Sequence, residues 1–290
     1  MERTIWNKLR ILVTNKCNYR CPFCHNEGQS KENERDIMSF EKFKILIDYL
    51  KEQEISELHF SGGEPFMNKN IIKMIEYVNN NTPWGIGCAT NLSIISKGQI
   101  ERIAKTRVKF NIQFPYADET MFQKSTGNGK YQHILCQIKL VQSYGIKIGL
   151  NAVVQQNNME HIRKLILFAI ENDLTLKLLP QIGLIGSEQF KKQIYPILSE
   201  YEIKHQDKKT GAIRWTVQNQ GKSTTVLYID SPCFNKNIQE CRAFGELRIH
   251  PDMSLQTCII KDKLHKLNLE LGKEHTLFVM KELWKDFKTC

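Results

Sequence analysis

Cys17-Asn-Tyr-Arg-Cys21-Pro-Phe-Cys24 follows directly on an apolar run with strand character, Leu9-Arg-Ile-Leu-Val-Thr14. Three thiolates separated by three and two residues on one short loop can hold three irons of a cubane [4Fe–4S] cluster. The fourth iron is then left without a protein ligand, open to chemistry. Structural zinc sites are usually closed by four ligands, and two-cluster ferredoxins use a denser cysteine run. A zinc knuckle completed by His25, or a set of buried thiols, is the competing reading of these residues. It leaves unexplained a second motif, Ser61-Gly62-Gly63-Glu64-Pro65, about forty residues further on at the end of a short strand, Glu57-Leu-His-Phe60. Two glycines there let backbone approach a ligand closely, and the Glu64 carboxylate can meet an ammonium group.

Outward from these motifs, strand and helix patterns alternate with short connections. Strands are expected over 9–14, 57–60, 85–90, 108–114, 147–154 and 175–179. Helices are expected over 40–53, with Ser39 as cap, and over 70–79, 98–105, 131–144 and 159–172. Six βα units with right-handed crossovers curve into an α/β fold, a partial (β/α)6 TIM-like barrel with functional loops at the carboxyl ends of its strands. Residues 181–222 lack clear periodicity and read as a connector across the barrel mouth. Two hairpins then follow, 212–218 with 224–230 around Gly221 and 247–250 with 255–259 around Asp252-Met-Ser, and a helix over 276–287. The expected division is a barrel over 1–182, a connector over 183–222 and a small hairpin-and-helix domain over 223–290.

That last domain contains Cys233, Cys241, Cys258 and Cys290. Nine cysteines in a chain without an apolar signal segment point to metal rather than disulfides. A structural zinc or free thiols is the competing reading of the second set. Cys88 and Cys136 are expected in the core. At 290 residues and 41% apolar content, with no apolar run near the length of a membrane span, the chain reads as soluble and cytoplasmic, with no membrane partner. The net charge of +10 is spread along the chain, which favours a generic lysine-rich surface over a nucleic-acid site, so no nucleic acid is expected.

The cysteine loop and the glycine turn together resemble the radical S-adenosylmethionine (SAM) superfamily. The resemblance implies that Cys17, Cys21 and Cys24 bind a [4Fe–4S] cluster whose open iron is chelated by the amino and carboxylate groups of SAM. It implies reductive cleavage of SAM to methionine and a 5′-deoxyadenosyl radical, an oxygen-sensitive chemistry fed by a reductant such as flavodoxin or ferredoxin. Phe23 then lies near the adenine, and Gly62, Gly63 and Glu64 face the SAM amino group. Thr90-Asn91 matches the first two residues of a common Thr-Asn-Gly, with Leu92 in place of the glycine. Gln113, Asn151 and Leu179, the last followed by Pro180, fall where relatives touch ribose and adenine; ordinary strand-end bonding is the alternative for each. The segment from Cys241 to Cys258 resembles the half-length twitch form of the SPASM module, with Met253 replacing a turn glycine, and Glu282–Cys290 resembles its ligand-bearing helix. A second, auxiliary [4Fe–4S] cluster is implied, held by Cys241 and Cys258, then Cys290, with Cys233 either completing the ligand set or leaving an open iron.

Within the superfamily, resemblance is greatest to the GTP 3′,8-cyclases of molybdenum-cofactor biosynthesis. It rests on the Leu9–Thr14 run, Cys24-His-Asn-Glu-Gly28, Ser125-Thr-Gly127 and Gly149-Leu-Asn-Ala-Val-Val154. Those cyclases bind GTP through a Cys-Asn-Arg-x-Arg segment and end in Gly-Gly; here Cys241-Arg-Ala-Phe-Gly-Glu-Leu-Arg248 and Lys288-Thr-Cys290 stand instead. The favoured expectation is hydrogen abstraction in the maturation of a ribosomally made peptide. The alternatives are radical rearrangement or oxidation of a nucleotide or other small molecule, and a non-enzymatic iron–sulfur sensor. No side chain stands out as catalytic base or hydrogen donor.

Overall fold

A computed structural model of the chain describes residues 5–24, 37–209, 211–261 and 263–289. The first half runs β1 (Lys8–Leu12), α1 (Phe40–Leu50), β2 (Glu57–Ser61), α2 (Ile71–Asn81), β3 (Gly85–Thr90), α3 (Lys97–Ile103) and β4 (Val108–Gln113). It continues with α4 (Glu119–Thr126), α5 (Tyr131–Ser143), β5 (Ile148–Val154), α6 (Ile162–Glu171) and β6 (Thr175–Pro180). The second half adds α7 (Lys191–Ser199), β7 (Glu202–Asp207), β8 (Ile213–Asn219), β9 (Lys222–Tyr228), α8 (Ile238–Phe244), β10 (Glu246–Ile249), β11 (Ser254–Gln256), β12 (His265–Lys266) and α9 (Gly272–Asp286).

Every strand and helix expected in the barrel is present, with ends moved by a few residues. Ser39 does cap α1, its Oγ accepting from the Lys42 amide. Helix α4 is an addition that periodicity does not announce. It is short and largely polar, delimited by Asp118 at its start and by Gly127 at φ 82° at its end. The stretch read as a connector holds α7, β7 and β8, and β7 is nearly all exposed and charged, so it carries no alternation to read.

The twelve strands among the described residues form one sheet, in the order β12-β11-β10-β1-β2-β3-β4-β5-β6-β9-β8-β7. The pairings from β10 through β1 to β6 and on to β9 are parallel. The two expected hairpins are both antiparallel, but they extend opposite edges of the barrel sheet, β8–β9 beyond β6 and β10–β11 beyond β1.

Side chains alternate between two environments along each parallel strand, as strand geometry requires. Leu9, Ile11, Leu58, Phe60, Ile86, Phe110, Ile112, Leu150, Leu176 and Leu178 are buried among the apolar residues of the helices, such as Phe43, Leu46 and Ile47 of α1. Each such side chain stabilises the fold by roughly 1.5–3 kcal/mol. The positions between them face inward and are polar or small. A closed TIM barrel fills this interior with branched apolar residues; here it is a cavity. Cys88 lies in the core as expected. Cys136 does not: it is exposed, because on α5 the buried positions are Ile134, Ile138 and Val141, and Cys136 lies on the other face.

Candidate active site

The cysteine loop is clamped against the glycine turn by backbone contacts. Val13 N donates to Ser61 O at 3.1 Å, Gly63 N to Thr14 O at 2.7 Å and Glu64 N to Lys16 O at 2.8 Å. A Cβ at Gly63 would stand 2.0 Å from Lys16 O, and one at Gly62, where φ is 123°, 2.2 Å from Thr14 O. The glycines therefore admit the cysteine loop itself; close approach of backbone to backbone, rather than to a ligand, is what the described residues show. From the other side Arg20 N donates to Thr126 O at 2.9 Å, so the end of α4 braces the same loop. Tyr19, Cys21 and Phe23 are buried against Val153 of β5, with Cys17 and Cys24 packed at the edge of this cluster.

Glu64 is buried, with 1% of its surface exposed. Its Oε1 accepts from Phe66 N and Thr90 Oγ1, at 3.1 and 2.7 Å, and its Oε2 from Asn91 N at 2.7 Å. Burial pushes its pKa up to about 7, and these three bonds only partly oppose it. Among the described residues no cation is paired with it, and Oε2 keeps acceptor capacity for one. Thr90 also accepts from Leu92 N at 2.9 Å, while Asn91 donates to Asn18 Oδ1 at 2.8 Å and accepts from Ser93. Both side chains are thus engaged by protein. Leu92 stands where the motif's glycine would be and keeps a left-handed φ of 63°.

A cavity of about 590 Å³ opens beside the loop and the turn, a size typical of small-ligand sites. Cys17, Cys21, Phe23, Cys24, Gly62, Gly63, Glu64, Thr90, Asn91, Gln113, Asn151 and Leu179 all border it. Gln113 and Asn151 are direct register partners on β4 and β5. Gln113 Nε2 and Asn151 Oδ1 are buried without a hydrogen-bond partner among the described residues. A buried donor beside a buried acceptor, both facing a cavity, suits a ligand that offers both, as a ribose hydroxyl does.

The second cysteine set borders the same cavity. Cys233 follows β9, Cys241 lies on α8 and Cys258 follows β11; none is in a disulfide. Cys290 lies outside the described residues, as does His25. No three His, Cys, Asp or Glu side chains among the described residues converge on a single ion, a requirement that ligands arrayed around a cubane do not share.

A polar layer not anticipated from the sequence lines the cavity deeper in the barrel: Arg10, Glu57, His59, Asn111, Lys177, Glu246 and Arg248. Its signal was the same alternation that marks the strands, for these are the polar positions of Lys-Leu-Arg-Ile-Leu, Glu-Leu-His-Phe-Ser and Glu-Leu-Arg-Ile. Arg10 Nε and Nη2 meet Glu246 Oε1 and Oε2 at 2.8 and 2.9 Å. His59 Nε2 bonds Glu57 at 2.9 Å, and its ring occupies space left by Gly87, whose Cβ would lie 2.3 Å from Nδ1. Lys177 donates to Asn111 Oδ1 at 2.6 Å, and burial, with Arg10 nearby, lowers its pKa. Burial likewise lowers Arg248 to about 9.

The donor set fits an iron–sulfur cluster with SAM. Thiols of the cysteine loop share a half-buried pocket where burial raises Cys17 to about 11 and Cys21 to about 12, and a bound metal would favour their thiolates. Beside them lie a carboxylate lacking a cation and an amide pair lacking partners.

The described residues thus form a partial β/α barrel with a pocket at the carboxyl ends of its strands. The family model for the radical SAM superfamily matches residues 11–169, and the chain belongs to that superfamily. It is similar to the GTP 3′,8-cyclase of Saccharophagus degradans, 24% identical over 279 residues that cover 93% of this chain and 80% of the relative. The probable GTP 3′,8-cyclase of Methanocaldococcus jannaschii is 25% identical over 88% of this chain and 85% of its own. Among solved structures, Streptococcus suis SuiB bound to precursor peptide SuiA superposes with a TM-score of 0.76 at 15% identity, covering 99% of this chain and 67% of that one. Native anSMEcpe with bound AdoMet gives 0.64 at 15% identity, over 94% and 80%. These structures share the fold. Among the described residues no helix is long and apolar enough to cross a membrane.

Proposed function

We propose that the chain cleaves SAM reductively and abstracts a hydrogen atom from a substrate seated between its two cysteine sets, in the maturation of a ribosomally made peptide. The observation that carries this reading is a shared cavity of about 590 Å³ bordered by Cys17, Cys21, Cys24, Cys233, Cys241 and Cys258. When bound, the cluster supplies one electron that splits SAM into methionine and a 5′-deoxyadenosyl radical, which becomes 5′-deoxyadenosine on taking the substrate hydrogen.

The chain's own residues hold and orient. Cys17, Cys21 and Cys24 ligate iron, Glu64 offers Oε2 to the SAM ammonium, Gln113 and Asn151 take the ribose hydroxyls, and Phe23 with Leu179 flank the adenine. In this reading residues 1–182 carry the SAM chemistry and 223–290 an auxiliary [4Fe–4S] cluster on Cys233, Cys241, Cys258 and Cys290. Flavodoxin or ferredoxin delivers the electron. Support for a peptide comes from fold neighbours determined with peptides bound.

A second reading, an anionic small molecule such as a nucleotide, is favoured by the cations Arg10, Lys177 and Arg248 on the cavity wall and by the GTP cyclases among the relatives. Anaerobic reconstitution tests the common core. Wild type should bind about eight irons, and a Cys17→Ala/Cys21→Ala/Cys24→Ala variant about four, with 5′-deoxyadenosine formed by the wild type alone. Stimulation of SAM cleavage by a short peptide encoded beside the gene supports the first reading; stimulation by GTP alone supports the second. A fully loaded protein that never cleaves SAM defeats both.

A further inference from the structure

Below the turns that face SAM, the cavity wall carries its own balance of charge. Arg248, Arg10 and His59 are register partners across β10, β1 and β2, and Glu246 and Glu57 share the next row down. Further round the barrel, Lys177 of β6 is the register partner of Asn151, which is in turn the partner of Gln113. Lys177 therefore lies one strand spacing, about 4.8 Å, from the seat proposed for the ribose. A substrate lying beside SAM comes within its reach.

The wall charges are engaged unequally. Glu246 takes Arg10 at 2.8 and 2.9 Å and Arg248 Nη2 at 3.4 Å, so one carboxylate serves two guanidiniums. Glu57 bonds His59, and chiefly through that bond its pKa falls to about 2, so it stays ionised. Lys177 donates to the neutral Asn111 Oδ1 at 2.6 Å and enters no ion pair among the described residues. An ammonium has three donors, so two remain for a ligand. Imidazole apart, three cations face two carboxylates on this wall, which leaves a single positive charge in excess. A triphosphate would bring several negative charges toward Glu57 and Glu246, and like charges repel strongly in a cavity shielded from water. We infer that the substrate carries one carboxylate, seated on Lys177, and that Glu57 and Glu246 reject a polyphosphate. The inference rests on the proposed function, where that carboxylate is an aspartate or glutamate side chain of the peptide; a free small acid offers the same group.

The test measures binding to the full chain by anaerobic calorimetry, both reconstituted with SAM present and cluster-free. The probes are N-acetylglutamate α-amide with one carboxylate, its neutral isostere N-acetylglutamine α-amide, propionate, GTP and guanosine. The acidic amide should bind about 10-fold tighter than the neutral one, the worth of a hydrogen bond to a charged group. GTP should bind no tighter than guanosine. Lys177→Met should erase the preference between the amides, and Glu57→Gln should tighten GTP about 5-fold against guanosine. Propionate binding as tightly as the acidic amide keeps the carboxylate seat and gives it to a free acid; weaker binding gives it to a peptide residue. Equal affinity of the wild type for the two amides overturns the inference. So does GTP binding well ahead of guanosine, or a preference between the amides that survives Lys177→Met. Should that variant fail to fold, the order of the probes on wild type decides alone. A chain that shows the preference but never cleaves SAM defeats the proposed function and leaves the seat standing; one that cleaves SAM without the preference does the reverse.

Discussion

Burial gives Glu64 a proton affinity well above that of an ordinary carboxyl, and the three donors around it do not remove the effect. The unfolded carboxyl titrates near 4.3 and the folded one near 7, so between those values the folded state binds the extra proton. Stability of the cluster-free protein should therefore fall as pH rises from about 4.3 through 7, by a quantity on the order of 3 kcal/mol, and level off above. Denaturant midpoints across that window check the slope. Glu64→Gln should abolish the slope even though it lowers stability overall, and SAM should flatten it by bringing a cation to Oε2. Gln113 and Asn151 make a separate claim. Replacing either with Ala should weaken SAM binding roughly 2- to 10-fold, the worth of one hydrogen bond, with iron content unchanged. Equal SAM affinity in both variants would remove the ribose assignment.

At the level of elements, the glycine turn and the cysteine loop behave as one unit. Gly63→Ala should displace Lys16 and its neighbours, because the clash at 2.0 Å is with backbone, which cannot rotate away. Total iron should drop from about eight toward four as the loop loses its cluster, while Gly98→Ala, with nothing within 4 Å, should bind iron like wild type. These two motifs were legible because chemistry fixes their spacing, and the barrel strands because an outward apolar layer enforces a period of two. Elements without such constraint were not. Helix α8 has no buried residue, and β7 is an exposed edge whose charges mask any alternation. Leu92 and Met253 show a subtler limit. Each stands where the motif it resembles has a glycine, yet each keeps a left-handed φ, 63° and 67°. Both side chains are buried, and that burial offsets the strain.

Across the whole molecule, what unites the two cysteine sets is the addition of β10 to β1, a parallel pairing between strands more than two hundred residues apart that leaves no local trace in the sequence. The two-point contact between Arg10 and Glu246 spans it. Burial alone would raise the Glu246 pKa, but Arg10 overrides it and holds the carboxyl below the usual range. Removing one partner leaves a charge stranded beside Arg248, as Glu246→Ala would do. That variant should lose about 3 kcal/mol, toward the low end for buried pairs because the guanidinium faces the cavity. The double variant Arg10→Met/Glu246→Leu should recover most of the loss, since it strands no charge. Whether its activity recovers with its stability depends on the substrate. If the pair also keeps the cavity polar for an anionic substrate, the double variant will cleave SAM but no longer respond to substrate; if the substrate is a peptide held elsewhere in the cavity, substrate-stimulated cleavage will return along with the fold. Chemical denaturation and 5′-deoxyadenosine assays on the same three proteins separate these outcomes, and so connect the closure of the sheet to the choice of substrate.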